Sequence, residues 1–150
     1  MNLYPLATVL PGVEKLTTHL AACGIPMAIA TSSSRAAVNA KRSKHEALFA
    51  RFGGAIVTSE DIARGKPHPD VFLAAASAIG IPPAECAVFE DAEAGVAAGV
   101  AAGCVVIAAP DARVFPSGTP LPPGFADADA VLASLVEFLP ETVGFPPYPH

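Results

Sequence analysis

Residues 86–107 of the 150-residue chain read CAVFEDAEAGVAAGVAAGCVVI, and this stretch decides the fold. An apolar run at 86–89 ends in two carboxylates, a run of small residues follows around 95–102, and a second apolar run closes the stretch at 104–107. Short apolar runs bounded by polar residues are typical of buried strands, and the small-residue run between them has helical length. The stretch predicts a strand–helix–strand unit, which requires parallel strands.

The same alternation extends outward along the chain. Two more apolar runs, at 25–30 and 55–57, predict strands, and the runs between them predict helices. Pro69 starts one of these helices, because proline suits the first helical turn. A last helix is predicted around 131–139. Strands that alternate with helices predict an α/β fold, a Rossmann-like three-layer parallel sheet with right-handed crossovers.

The composition excludes several classes of protein. Hydrophobic residues make up 52% of the chain and charged residues 15%, unlike a disordered acidic protein. The net charge of −5 argues against a nucleic-acid partner. The uncharged run 94–110 is too short and too glycine-rich to cross a membrane. Cys23, Cys86 and Cys104 are scattered, which suits buried free thiols in a reducing compartment and predicts a cytoplasmic location.

In parallel sheets, ligands bind beyond the carboxyl ends of the strands, so the residues that follow each apolar run are the candidates for chemistry. Thr31 and Ser32 follow the run 25–30. A hydroxyl together with the next backbone N–H groups suits a phosphate oxygen. The alternative is that this pair caps the following helix, and the two roles are compatible.

Lys66 stands in a second candidate segment, Gly-Lys-Pro-His-Pro-Asp at 65–70. The two prolines stiffen the backbone around the lysine, ahead of a helix. An ammonium held in this way suits a phosphoryl group, whereas the alternative is a solvated loop lysine. His68 is predicted to be an ordinary loop residue. The segment is not a Walker A loop, because Pro67 stands where Ser or Thr should follow the lysine.

Glu90 and Asp91 are the sharpest feature, since both carboxylates directly follow a buried strand. Adjacent like charges repel, so a cation or hydrogen-bond donors must offset them. Mg²⁺ takes oxygen ligands of this kind, together with water and substrate phosphate. The alternative is that Asp91 caps the helix that follows it. A Mg²⁺ site is the preferred prediction.

These segments come in an order that resembles one family. Residues 30–34, 65–70 and 88–103 resemble the second, third and fourth motifs of the haloacid dehalogenase-like hydrolases. Leu-Pro-Gly-Val-Glu-Lys-Leu at 10–16 and the tail at 136–148 are similar to its pseudouridine-5′-phosphatase-like branch. The resemblance implies a Rossmann-like core and Mg²⁺-dependent hydrolysis of a small phosphorylated metabolite, such as a nucleoside or sugar monophosphate.

The resemblance also implies a role for each candidate residue. Thr31 and Ser32 would bind the transferring phosphoryl group. Lys66 would be the catalytic lysine that pairs with the phosphate and the nucleophile. Asp91 would ligate Mg²⁺, with Glu90 as a direct or water-mediated partner. Members of the family form an aspartyl-phosphate that water hydrolyses, which requires positive charge around the phosphoryl oxygens.

One motif of the family is missing. Its nucleophile and general acid/base come from an Asp-x-Asp after an earlier strand, whereas the first aspartate here is Asp61. The Asp-x-Asp at 127–129 follows a Pro/Gly-rich loop and is predicted to be loop and helix cap. Residues 1–150 therefore resemble the C-terminal two-thirds of a family member, a single core domain without the first strand and the cap domain. We expect this chain to be inactive alone.

The missing strand is central in the family, between the strands at 25–30 and 86–89. Its absence predicts a gap of about 10 Å with unpaired backbone groups on both sides. Such edges favour self-association or a partner strand that completes the sheet. Residues 1–10 are interpreted as the linker between cap and core. The apolar run 6–10 within them is alternatively a segment that enters the gap.

Three functions stay open. The first is the Mg²⁺-dependent phosphatase. The second is a non-catalytic phosphate-binding or scaffold domain, which the absent Asp-x-Asp favours. The third is a phosphosugar mutase of the same fold, because the regions that separate mutase from phosphatase are not in the sequence.

Overall fold

The computed structural model describes residues 11–150. Helices and strands alternate along them, in the order α1 (Val13–Ala22), β1 (Ile29–Ala30), α2 (Arg35–Arg42), α3 (Glu46–Ala50), β2 (Ile56–Val57), α4 (Asp70–Ile79), β3 (Ala87–Glu90), α5 (Glu93–Ala101), β4 (Val105–Ala108) and β5 (Ala130–Val131). The interpretation of residues 1–10 as a linker lies outside the described residues.

Every strand pairing in this part of the chain is parallel, as predicted. β1 pairs with β2, and β3, β4 and β5 form a second sheet in that order. Ile29 lies opposite Ile56, and Val88 lies opposite Val106. Within residues 11–150, β1 and β3 are not hydrogen-bonded to each other. The described residues therefore show the predicted interruption between the strands at 25–30 and 86–89.

Helices cover both faces of the strands. Successive side chains of a strand point to opposite faces, so Val88 and Phe89 of β3 enter different core clusters. Phe89 packs with Leu16 of α1 and Phe49 of α3, whereas Val88 packs with Phe72 of α4. This arrangement of helix, sheet and helix confirms the three-layer α/β prediction.

The helix predicted around 131–139 is wrong. The backbone N–H of Asp129 donates to the Val106 carbonyl at 2.8 Å, and Leu132 N–H donates to the Ala108 carbonyl at 2.8 Å. These bonds add β5 to the open edge of β4, which satisfies backbone groups that a helix would have left unpaired. Only residues Leu135–Glu137 then form a single 3₁₀ turn.

The cap role predicted for the Asp-x-Asp at 127–129 is also wrong. The Asp129 carboxylate accepts the Val106 backbone N–H at 2.8 Å and so anchors β5 to β4. The loop part of that prediction is correct, because a 3₁₀ segment, Pro123–Asp127, and no buried strand precedes Asp129.

The three cysteines are free thiols, but Cys23 is exposed and not buried as expected. Cys86 and Cys104 are half-buried. No helix among residues 11–150 is long and apolar enough to cross a membrane.

Candidate functional site

The predicted site residues meet at the carboxyl ends of the strands. Lys66, from the loop between β2 and α4, donates from Nζ to Glu90 Oε1 at 2.6 Å, and Nζ lies 3.5 Å from the Ala30 carbonyl oxygen. Ala30 ends β1 and Glu90 ends β3, so the lysine spans the gap between the two sheets. Thr31 follows β1, and Asp91 follows β3.

Lys66 and Glu90 are both withdrawn from water. Their side chains are 7% and 0% exposed. The Lys66 ammonium also lies 5.1 Å from the centre of the Phe72 ring. The alternative of a solvated loop lysine is therefore wrong. A buried charge requires a partner, and Glu90 supplies it for the lysine.

Glu90 has room for its carboxylate because residue 95 on α5 is glycine. A Cβ at Gly95 would collide with the Glu90 carboxyl group. Gly95 thus shapes the site, because the absence of a side chain lets the first turns of α5 pack directly against the end of β3.

A second ion pair shapes the loop that carries Lys66. Asp70, at the start of α4, accepts the Arg64 backbone N–H at 3.2 Å and the Arg64 guanidinium at 3.1 Å. Between them, the His68 N–H donates to the Gly65 carbonyl at 3.0 Å and closes a turn. His68 itself is exposed, as predicted for a loop residue. The Arg64–Asp70 contacts thus join the two ends of the loop that carries Lys66.

The loop after β1 is folded by hydroxyl groups. The buried Thr31 Oγ1 accepts the Ser33 backbone N–H at 3.0 Å. Ser32 is exposed at the surface of this loop. The helix cap is Ser34, whose Oγ accepts the Ala37 N–H at 3.2 Å. The alternative that Thr31 and Ser32 cap α2 is therefore wrong.

Asp91 is half-buried and does not cap α5. The N-cap of that helix is Ala92, which has no side-chain hydrogen bond. Burial first, and the neighbouring Glu90 charge second, raise the pKa of Asp91 to about 6, although a backbone hydrogen bond and the Lys66 charge lower it. The carboxylate pair is thus held in a place where a cation would be stabilising.

Sequence reasoning missed Asp111 and Arg113 at the same edge of the sheet. The charge of Asp111 contributes to the raised pKa of Asp91. Arg113 donates from Nε and Nη2 to the two Asp111 oxygens at 3.0 and 2.6 Å. The sequence offered a signal for Asp111, because this residue comes shortly after the apolar run 104–107, as Asp91 comes after its own strand.

Lys41 and Asp61 were missed as well. Lys41 of α2 donates from Nζ to Ser33 Oγ at 2.9 Å, which brings a second ammonium to the loop after β1. Asp61 Oδ2 accepts the Thr58 N–H and the Arg35 guanidinium at 2.8 and 2.6 Å, and these bonds lower its pKa. The loop after β2 is therefore bonded to the start of α2.

The donor set fits a magnesium ion. Among residues 11–150, no three His, Cys, Asp or Glu side chains are placed to hold a metal ion by themselves. Mg²⁺, however, usually binds one or two carboxylates and completes its shell with water and substrate phosphate. Asp91 is such a carboxylate, and burial and the neighbouring Glu90 charge, which raise its pKa, would both favour a bound cation.

These features place the chain among α/β proteins whose ligand site lies at the carboxyl ends of parallel strands. A family model described as haloacid dehalogenase-like hydrolase matches residues 2–103, and the chain belongs to this family.

Relatives of known name agree with this assignment. The chain is 40% identical over 146 residues to the Drosophila melanogaster protein named "Probable pseudouridine-5'-phosphatase", with 95% of this chain and 61% of that protein covered. It is 46% identical over 101 residues to Hexitol phosphatase A of Escherichia coli, with 67% and 45% covered.

A solved structure shows the same fold. The chain superimposes on a haloacid dehalogenase family hydrolase of Deinococcus radiodurans, crystallised with bound phosphate and sodium. The TM-score is 0.75, the identity is 33%, and the match covers 94% of this chain and 63% of that one. The chain spans less than two thirds of the length of each of these three proteins.

Proposed function

We propose that this chain is the phosphate- and Mg²⁺-binding part of a phosphatase that hydrolyses a small phosphorylated metabolite, such as a nucleoside or sugar monophosphate. The observation that carries the proposal is the buried Lys66 ammonium, held by Glu90 between the ends of β1 and β3. The names of the two curated relatives, both phosphatases, support the substrate class. We place the protein in the cytoplasm, in keeping with its free thiols.

Each residue has a defined part in this proposal. The loop at Thr31 and Ser32 receives the phosphoryl oxygens through hydroxyl and backbone N–H groups. Lys66 offsets their charge as a point charge, and Glu90 keeps that lysine in place. Asp91, with water, holds Mg²⁺. When bound, the ion supplies further positive charge to the phosphoryl oxygens.

The nucleophile is the part that these residues do not supply. Asp129, in the one Asp-x-Asp of the sequence, uses its carboxylate to accept the Val106 N–H. This observation favours a second candidate function for the chain by itself, a phosphate-binding domain without catalysis. The two proposals agree on the binding site and differ on where the nucleophilic carboxylate comes from.

Calorimetric titration with inorganic phosphate in the presence of MgCl₂ tests the binding site. We expect Lys66→Met to weaken phosphate binding by at least about tenfold, or 1.4 kcal/mol. The matched control is Lys44→Met, which removes an exposed lysine. Equal affinity for phosphate in the wild type and Lys66→Met would remove the basis of the proposed function.

Turnover of p-nitrophenyl phosphate with Mg²⁺ tests the missing nucleophile. We expect none from this chain alone. Robust turnover that is lost in Asp91→Ala would show that a carboxylate among these 150 residues acts as the nucleophile, contrary to the assignment above.

A further inference from the structure

The loop after β4, residues 109–124, begins beside the candidate site. Ala108 ends β4 opposite Glu90 of β3, and the Ala109 N–H donates to the Glu90 carbonyl at 2.8 Å. Neighbouring strands lie about 4.8 Å apart, so this loop and Asp91 leave the sheet side by side. We call residues 109–124 the β4 loop.

The first part of the β4 loop is a turn that is anchored to the core. The Asp111 carbonyl accepts the Val114 and Phe115 N–H groups at 2.9 and 2.8 Å, and Arg113 lies inside this turn. The Phe115 ring packs edge-on against the buried Phe125 ring, with 5.3 Å between the ring centres. The position of Arg113 is therefore set by the fold.

The far end of the β4 loop returns to the same place. Glu93, in the first turn of α5, accepts the Gly124 N–H at 2.7 Å. A Cβ at Gly124 would collide with the Glu93 side chain, so the two segments are in close contact. Glu93 comes two residues after Asp91. Both ends of the β4 loop are thus attached next to the proposed Mg²⁺ ligand.

Arg113 is held by one carboxylate and keeps donors for a ligand. Asp111 Oδ1 accepts the Arg113 N–H and Nε at 2.9 and 3.0 Å, and Oδ2 accepts Nη2 at 2.6 Å. The Asp111 side chain is 12% exposed, whereas that of Arg113 is 52% exposed. Among residues 11–150, every hydrogen bond of the guanidinium goes to Asp111, and none uses Nη1.

The charge of Arg113 belongs to the electrostatics of the site. Its hydrogen bonds to Asp111 raise the pKa of Arg113, and the charges of Asp111 and Asp91 raise it further, against a small opposing effect of desolvation. Exposed ion pairs contribute little to stability. The stability of the fold therefore does not account for a guanidinium held beside Asp91.

The β4 loop lies to one side of the proposed phosphoryl position. Lys66 spans the ends of β1 and β3, and β4 pairs with the other side of β3. Arg113 therefore lies past Asp91 along the edge of the sheet, one or two strand spacings from Lys66, or roughly 5–10 Å. A small metabolite whose phosphoryl group is bound near Lys66 spans this distance.

We propose that Arg113 is a specificity-determining residue that binds a second anionic group of the substrate, a carboxylate or a further phosphate, through the Nη1–Nη2 edge of its guanidinium. The inference rests on the proposed phosphatase function and narrows its substrate class to phosphorylated metabolites with a second negative group. Parallel N–H donors match the oxygens of both anions, and such charge-assisted bonds are strong. Asp111 holds the guanidinium in place, so binding costs little side-chain freedom.

Calorimetric titration of the full chain in MgCl₂ with two matched pairs of probes tests the proposal. 3-Phosphoglycerate has a carboxylate that glycerol 3-phosphate lacks, and fructose 1,6-bisphosphate has a phosphate that fructose 6-phosphate lacks. In at least one pair, we expect the probe with the second anionic group to bind about tenfold more tightly or better. The pair that shows this preference identifies the anion as carboxylate or phosphate.

Arg113→Met should reduce the preference to less than about twofold and leave the affinity for the simpler probe unchanged, because only the second anionic group loses its donors. The control is Arg42→Met, which removes an exposed arginine from the last turn of α2 and should keep the preference. A wild type without any preference overturns the proposal. So does a preference that survives in Arg113→Met or disappears equally in Arg42→Met.

The proposed function and this inference fail in different ways. If inorganic phosphate binds the wild type and binds Lys66→Met more weakly, but neither pair of probes shows a preference, this inference alone is overturned. If neither inorganic phosphate nor any probe binds the wild type, the proposed function fails, and this inference fails with it.

A measurement on the wild type applies if Arg113→Met lowers the melting temperature of the chain. The NMR signal of the Arg113 Nε–H group, assigned by its loss in Arg113→Lys, should shift on saturation with the preferred probe and stay in place with its simpler partner. A signal that has the same position with both members of the pair overturns the proposal.

Discussion

Lys66 and Glu90 form a buried ion pair, with 2.6 Å between Nζ and Oε1, where the loop before α4 meets the end of β3. The pair joins two segments that are 24 residues apart. The Lys66 ammonium also lies 3.5 Å from the carbonyl of Ala30 at the end of β1. One side chain therefore links the carboxyl edges of the two sheets, and the consequences of this link are measurable.

Glu90→Gln should lower the free energy of unfolding by about 3 kcal/mol, because it removes the carboxylate charge that lies 2.6 Å from the buried Lys66 ammonium. The matched control is Glu14→Gln, which breaks the more exposed Arg51–Glu14 pair and should lower it by less than about 1 kcal/mol. Urea unfolding of both variants checks the difference. If both variants lost the same free energy of unfolding, the Lys66–Glu90 pair would contribute no more than an exposed surface pair.

Gly95→Ala should destabilise the chain by about 1–3 kcal/mol, although alanine is the better helix former, because its Cβ would collide with the Glu90 carboxyl group. The control Gly65→Ala introduces a Cβ that meets no atom within 4 Å and should be nearly neutral. Thermal unfolding of the two variants compares their melting temperatures, and a Gly95→Ala variant that melts above the wild type would contradict the close packing of residue 95 against Glu90.

The stability of the metal-free chain should depend on pH through Asp91. Its folded-state pKa of about 6 lies above its ordinary value of 3.8, so the folded chain binds this proton more tightly than the unfolded chain. The stability that this proton contributes is therefore lost as the pH rises from about 4 to about 6, by about 1–2 kcal/mol after allowance for solvent screening.

Asp91→Asn removes this titration. The variant should melt at a higher temperature than the wild type above pH 6 without metal, and MgCl₂ should raise the melting temperature of the wild type only. Calorimetric melting at several pH values measures both effects, with the exposed Asp127→Asn as control. If MgCl₂ stabilised Asp91→Asn as much as the wild type, Asp91 would not be a ligand.

Asp129→Ala should lower the free energy of unfolding by about 1.5–3 kcal/mol, because the Val106 N–H loses a carboxylate acceptor and β5 loosens from β4. Asp127→Ala, two residues earlier and exposed, should change it by less than about 0.5 kcal/mol. Chemical denaturation compares the two variants. If both substitutions lowered the free energy of unfolding equally, the Asp129 carboxylate would not anchor β5 to β4.

The apolar runs of the sequence predicted the parallel strands, because strands that are buried on both faces are apolar. The interruption of the sheet was predicted from the resemblance to the family, whose central strand is absent from this sequence. The place of Lys66 near the ends of the strands was predicted from the position of its segment after a strand and from the resemblance to the family. The burial of its ammonium was not predicted, because it depends on contacts with Glu90 and Phe72. Thr31 and Asp91 were placed by the same rule, that ligands gather beyond the ends of parallel strands.

The parts that sequence reasoning missed depend on contacts between distant segments. The sequence of the run 131–139 is compatible with a helix. The open edge of β4, however, provides the Val106 and Ala108 carbonyls as hydrogen-bond acceptors, and the segment pairs with it as β5. Ser34, and not Thr31, caps α2, because the backbone conformation decides which of the four consecutive hydroxyl residues at 31–34 stands at the start of the helix. Lys41 reaches Ser33 only after α2 has folded.

Gly12 has a left-handed backbone, with φ near 90°, and a Cβ at this position would lie 2.6 Å from the carbonyl carbon of Leu135. The start of α1 thus packs directly against the main chain at Leu135 and Val136. A hybrid with a homologue whose residue here carries a Cβ would need that homologue's C-terminal segment as well, since the added Cβ would otherwise clash with the main chain of Leu135.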